Sequence, residues 1–300
     1  MPRIITVEDP AIASLAETVD ALSAAGFDPA DEDSLATAAL WLRRLGNDHT
    51  FLGDILVSEL AQRHREDVLS SAYSPQVVML APPNGQFFIR ANIWPSAAEH
   101  MVRASGEAAF AIGLPHDHNF DFLTLGYFGP GYWSDYYEYD YEAVVGYPGE
   151  AVPSLRFIER SRLELGKMML YRAHLDVHAQ YPADTLSVSL NIMRTQGAQA
   201  WLDQYRFDLD RGEIAGRLAA GSSEAFLRLA VGLGGTEAHD LAEQFAHSHP
   251  SDRLRFAAWD ALAAAEPDPA ARDALWRKAE DAGSLLVTQA ATARRLELAD

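Results

Sequence analysis

The chain has 300 residues, longer than one compact domain usually needs, and its 48% hydrophobic and 22% charged content supports a packed core rather than global disorder. Lys and Arg number 24 against 43 Asp and Glu, a net charge of −19, and so acidic a surface repels phosphate backbones and excludes nucleic acid as a partner. The absence of cysteine excludes disulfides, thiolate zinc, iron–sulfur clusters and thiol nucleophiles, so any metal must be held by His, Asp or Glu.

The opening MPRIITVEDP carries acids and no apolar run, unlike a signal peptide. No stretch approaches the roughly 18 apolar residues of a membrane span. The expectation is a soluble, cytoplasmic chain with no membrane partner. Residues 10–25 read as a helix, with Ile12, Leu15, Val19 and Leu22 at three-to-four spacing and Gly26 as its stop. Asp31 or Asp33 can cap a second helix over 35–45, which Gly46 ends. A third is expected over 51–65, with Leu52, Ile55, Leu56 and Leu60 on one side.

From residue 76 to about 207 the texture changes. Short β-branched and aromatic runs are cut by Gly, Pro and Asn, as in QVVMLAPPNG, QFFIRANIWP, EAAFAIGLP, FDFLTLGYFGPG and TLSVSLNIM. Eight such candidates predict an all-β sandwich or barrel, with FGPG at 128–131 as a hairpin turn. From about residue 222 the chain is rich in Ala and Leu again. Asp268-Pro269 reads as a helix cap followed by a first-turn proline. The expected division is 1–75 helical, 76–207 β-barrel and 208–300 helical. The last part loosely resembles HEAT-type helical hairpins, with a plain helical tail as the equal alternative. Such helices are a surface for a protein partner.

The chemistry starts at Pro115-His116-Asp117-His118. In an extended strand, residues two apart share a face, so His116 and His118 aim together and Asp117 aims away. Two imidazoles on one face begin a transition-metal site. LYRAHLDVHAQYP offers two candidates for a third ligand. His178, just before a turn and the final strand, is favoured; His174 is the alternative, or a partner behind the ligands.

Gly113, His116, His118 and Gly126 together resemble the first motif of the cupin superfamily, and His178 resembles the late histidine of the second. The glutamate of the first motif is missing, since 122 and 123 are Phe and Leu. That departure resembles the three-histidine branch, the cysteine dioxygenase-type thiol dioxygenases. The resemblance covers roughly residues 86–193. It implies a double-stranded β-helix flanked by helices and a non-haem Fe(II) centre, with Mn, Ni or Zn as alternatives. It implies an oxygenase acting on a small-molecule or peptide-borne substrate whose carboxylate meets Arg90, and pairing of barrels into a homodimer. The Ser-His-Tyr set usual on the last strand of those enzymes is Ser189, Asn191 and Met193 here, which puts thiol oxidation in doubt. The rival readings are a non-catalytic binding module and a metal cupin that isomerises or hydrolyses without oxygen. Alternation across the tyrosine-rich run puts Trp133, Tyr137, Tyr139 and Tyr141 on one face and Tyr132 and Tyr136 on the other, so at most half can look inward.

Overall fold

A capping box at Ser14 sets where the first helix begins. The Ser14 hydroxyl accepts the Glu17 N–H and the Glu17 carboxylate accepts the Ser14 N–H. Helix α1 is therefore Leu15–Ala25, five residues shorter than apolar spacing predicts, and it stops at Gly26 as expected. Helix α2, Glu32–Gly46, starts on the Asp31 carboxylate, which accepts from the N–H groups of Asp33 and Ser34. Helix α3 is Phe51–Gln62. The computed structural model describes residues 1–62, 76–218 and 221–299, so the expected 63–65 end of α3 lies outside the described residues.

A six-stranded antiparallel sheet runs in the order β1 (Arg3–Ile5), β7 (Met168–Tyr171), β4 (Phe122–Phe128), β9 (Ser187–Arg194), β3 (Phe87–Trp94), β2 (Val77–Ala81). A three-stranded sheet runs β6 (Arg156–Leu163), β5 (Tyr132–Glu138), β8 (Asp176–Gln180). His116 bridges to His178 at the free side of β8. The chain passes from β4 to the small sheet for β5 and β6, back for β7, across for β8 and back for β9. That alternation is jelly-roll connectivity, the double-stranded β-helix, within a mixed α and β protein.

Period-two patterning gives the large sheet two different faces. Ile89, Ala91, Leu123, Leu125, Leu190 and Ile192 pack with Leu35, Leu42 and Leu45 of α2 in one core. Each such buried side chain contributes about 1.5–3 kcal/mol. The intervening Phe88, Trp94, Phe122, Tyr171 and Met193 pack on the opposite face, with Tyr132 and Tyr136 of the small sheet.

Two local expectations are corrected. The EAAFAIGLP run is not a strand: helix α4 (His100–Ser105) precedes it, and Glu107–Phe110 forms a 3-10 helix. Ala and Glu favour helix there. The 128–131 turn is not a hairpin, because β4 and β5 belong to different sheets; it carries the chain from one to the other. Gly126, one of the matched motif residues, lies inside β4. A Cβ there would meet the Glu164 carbonyl oxygen at 2.1 Å, so its lack of a side chain admits that backbone.

Contacts divide the chain into two compact units. One comprises Met1–Tyr141, Val152–Gln199 and Arg206–Gly212 and holds the two sheets just described. The other comprises Glu142–Ala151, Ala200–Tyr205 and Glu213–Asp300. Its helices are α5 (Ser222–Leu233), α6 (Thr236–Ser248), α7 (Asp252–Ala265), α8 (Pro269–Glu280) and α9 (Leu285–Ala299). Asp268 caps α8 and Pro269 opens it, as expected. Leu227, Val231, Ala258, Trp259, Trp276 and Val287 form this unit's core. Among the described residues no helix is long and apolar enough to cross a membrane.

Candidate metal centre

Gly113, in a turn at φ 70°, leads into the extended segment 114–118, which lies along β8. The Gly113 N–H donates to Gln180, and His116 and His178 exchange N–H···O bonds of 3.0 and 2.9 Å. The alternation of an extended chain then aims His116 and His118 to one side and Asp117 to the other. On β8, His178 faces the same space. Its Nε2 is 3.0 Å from Nε2 of His118 and 3.2 Å from Nε2 of His116. All three side chains are buried.

The tautomer of His116 follows from its other nitrogen. Nδ1 lies 2.7 Å from the Leu114 carbonyl oxygen, which can only accept, so Nδ1 carries the proton and Nε2 presents a lone pair inward. Burial lowers the pKa of His116, and lowers those of His118 and His178 well below the usual value. For His118 the charges of His116, His178 and Arg90 add to the effect of burial. Three such imidazoles facing one space form a donor set that suits a divalent cation. Bonds of about 2.0–2.1 Å to one ion, at tetrahedral or octahedral angles, separate ligand nitrogens by about 2.8–3.4 Å. The two spacings given above fit that donor set.

His174 does not join the group. It adopts a left-handed backbone, φ 58°, and its N–H donates to the His118 carbonyl at 2.8 Å. Its ring lies 4.0 Å from that of Tyr141, and Nδ1 is 3.9 Å from Asp117 Oδ2. Burial pushes its pKa down to about 4.

Arg90 stands in a row that crosses three strands. It pairs with Asn191 of β9, which pairs in turn with Thr124 of β4. All three alternate with residues of the helix-side core, so they face away from it. The Thr124 hydroxyl is buried and has no partner among the described residues. The adjoining row is apolar: Phe88, Met193, Phe122 and Tyr171, with the Phe122 ring 4.9 Å from that of His118. Ser189, Asn191 and Met193 of β9 are all on this face.

The sequence argument missed Gln180 and Thr124. Gln180 Nε2 is 3.3 Å from His178 Nε2, and Gln180 Oε1 is buried without a donor among the described residues. Its position two residues after His178 was the available signal. Of the tyrosines, Tyr132 and Tyr136 are buried, Trp133 is exposed, and Tyr136 shares a 2.9 Å hydroxyl contact with Tyr171. Tyr139 is buried although it shares a face with the exposed Trp133, because its hydroxyl meets Asp117 on the side away from the imidazoles.

The fold and the site define a jelly-roll barrel with a convergent three-histidine donor set. No protein-family model matches the chain. No curated protein matches it either. Among solved structures it is similar to hydroquinone 1,2-dioxygenase from Sphingomonas sp. TTNP3 with 4-hydroxybenzoate bound, at 15% identity over 44% of this chain and 72% of that one, TM-score 0.28. It is similar to a cupin domain from Bordetella pertussis Tohama I, at 13% identity over 42% of this chain and 100% of that one, TM-score 0.24. It is also similar to the DMSP lyase DddQ from Ruegeria pomeroyi DSS-3, at 11% identity over 66% of this chain and 78% of that one, TM-score 0.26. Likenesses this distant assign neither substrate nor reaction to this chain.

Proposed function

We propose that the chain is a metal-dependent enzyme of the cupin type, an iron(II) oxygenase whose ion is held by His116, His118 and His178. The observation that carries this reading is the convergence of three buried, neutral imidazoles, with Nε2 of His178 3.0 Å from that of His118 and 3.2 Å from that of His116. Fe(II), when bound, supplies electron transfer between dioxygen and a substrate held beside it. The same nitrogen donors accept Mn, Ni or Zn.

The protein's own residues do the rest. The Leu114 carbonyl fixes the His116 tautomer. Asp117, held by Tyr139, anchors the segment that presents two of the three imidazoles. The Phe88–Met193–Phe122–Tyr171 row excludes water from the ligands. Arg90, flanked by Asn191 and Thr124, binds an acidic group of a small or peptide-borne substrate and sets its orientation. Neutral ligands leave the charge of a divalent ion uncompensated, which also favours an anionic substrate.

The test is metal analysis of protein purified without oxygen, followed by dioxygen uptake with a panel of small carboxylic acids. This reading expects about one iron per chain, lost in His116→Ala, and a raised KM with retained metal in Arg90→Ala. A metal-free, equally stable protein would mean a non-catalytic binding module. Bound metal with turnover but no oxygen uptake would mean an isomerase or hydrolase.

A further inference from the structure

Gln180 ends β8 with its backbone held on both sides. It pairs with Ser134 of β5 in the strand register, and its carbonyl oxygen accepts the Gly113 N–H at 2.9 Å. It stands two residues after His178 on the same strand, so its side chain faces the same space as that imidazole. Gln180 is only 4% exposed, and its Nε2 lies 3.3 Å from Nε2 of His178. The rings beside His118, Phe120 and Phe122 at 5.0 and 4.9 Å, have no donor atom to offer an ion.

An amide N–H can only donate, so the lone pair of His178 Nε2 is what faces Gln180. That lone pair serves the amide or an ion, not both. An ion at the three histidines therefore displaces the N–H and repels the positive end of the amide dipole. A half-turn about Cγ–Cδ, a soft two-fold torsion, exchanges the nitrogen for the oxygen. Oε1 then stands where Nε2 stands now, 3.3 Å from the His178 nitrogen. That spacing falls within the range of about 2.8–3.4 Å that separates two ligands of one ion. The turn also relieves Oε1, which is now buried with no donor among the described residues. The turned N–H needs an acceptor, and the buried hydroxyl of Ser134, directly opposite in the register and on the same face, can serve.

We propose that Gln180, through Oε1 of the turned amide, is the fourth protein ligand of the ion held by His116, His118 and His178. The inference rests on the reading that those three imidazoles bind a divalent ion. A neutral oxygen added to three neutral nitrogens leaves the ion's charge uncompensated and leaves two positions open on an octahedral ion.

Cobalt(II) alone is the probe, added to the whole metal-free chain. Its visible absorption reports the number and geometry of its ligands, and competition with a chelator reports its affinity. Gln180→Leu should still bind cobalt through the imidazoles, but about tenfold or more weakly and with an altered visible band. Gln180→Glu supplies an anionic oxygen at the same place and should bind about tenfold more tightly, with a band close to the native one. Native affinity and an unchanged band in Gln180→Leu would overturn the proposal and leave the histidine centre standing. Weaker binding in Gln180→Glu than in the native chain would make the amide a donor and overturn it too. Should Gln180→Leu fail to fold, Gln180→Glu decides alone, and affinity at or below the native value overturns the proposal. No cobalt uptake by the native chain would overturn the three-histidine centre itself, and the role of Gln180 with it.

Discussion

The Tyr139 hydroxyl donates a 2.6 Å hydrogen bond to Oδ2 of Asp117, and both side chains are buried. Asp117 sits between two inward imidazoles and points the opposite way, so its anchorage fixes the direction of both. Tyr139→Phe removes a charge-assisted bond and should cost about 1.5–3 kcal/mol of stability. It should also weaken metal binding by about 10-fold or more, the scale typical of residues that orient metal ligands. Urea denaturation and competitive chelator titration of the variant measure the two effects separately.

The four clustered histidines have unequal roles. Alanine at 116, 118 or 178 should lower metal content from about one per chain to near zero, because two imidazoles do not retain an ion against buffer. Alanine at 174 should leave metal content unchanged, since its ring lies against Tyr141 outside the donor group. Elemental analysis of the four purified variants decides this, and loss of metal in the 174 variant alone would reassign the third ligand.

The metal-free protein should lose stability as pH falls. The histidine pKa values are ordinary in the unfolded chain and lowered in the folded one, to about 4 for His174. Below about 6.5 the unfolded state therefore binds protons that the folded state refuses, and the unfolding free energy falls with pH. For His174 this loss runs from about 6.5 down to about 4, where the folded form also protonates. Urea midpoints should drop between pH 7.5 and pH 4.5. The slope should be shallower in His174→Gln, and an unchanged slope would remove His174 from the cause.

The turn between the sheets depends on Gly131. It has φ 80°, and a Cβ would meet the Leu163 carbonyl oxygen at 1.9 Å. Gly131→Ala should destabilise the protein by more than about 2 kcal/mol through strain and backbone displacement. A thermal midpoint within a degree of the native value would show that the turn has room the geometry denies.

Much of this was legible because period two survives burial. Alternation in FFIRANIW and SVSLNIMR separates helix-side from interior residues, and the HDH spacing converges because its segment is extended along β8. What could not be read locally was set by distant partners. The FGPG turn looks like a hairpin because turn chemistry does not say which sheet the next strand joins. Tyr139 is buried on the same face as the exposed Trp133 because its partner, Asp117, comes from 22 residues away. By sequence His178 is favoured over His174 only through its place before a turn and the final strand. The left-handed backbone at His174 separates them, and nothing in its own residue type announces that.

The most direct measurement is X-ray diffraction from a crystal of anaerobically prepared protein, collected above and below the iron absorption edge. The account predicts one anomalous peak, about 2.0–2.1 Å from Nε2 of His116, His118 and His178, that vanishes below the edge. A peak bound elsewhere, or three imidazoles bridged only by water with no anomalous signal, would contradict it.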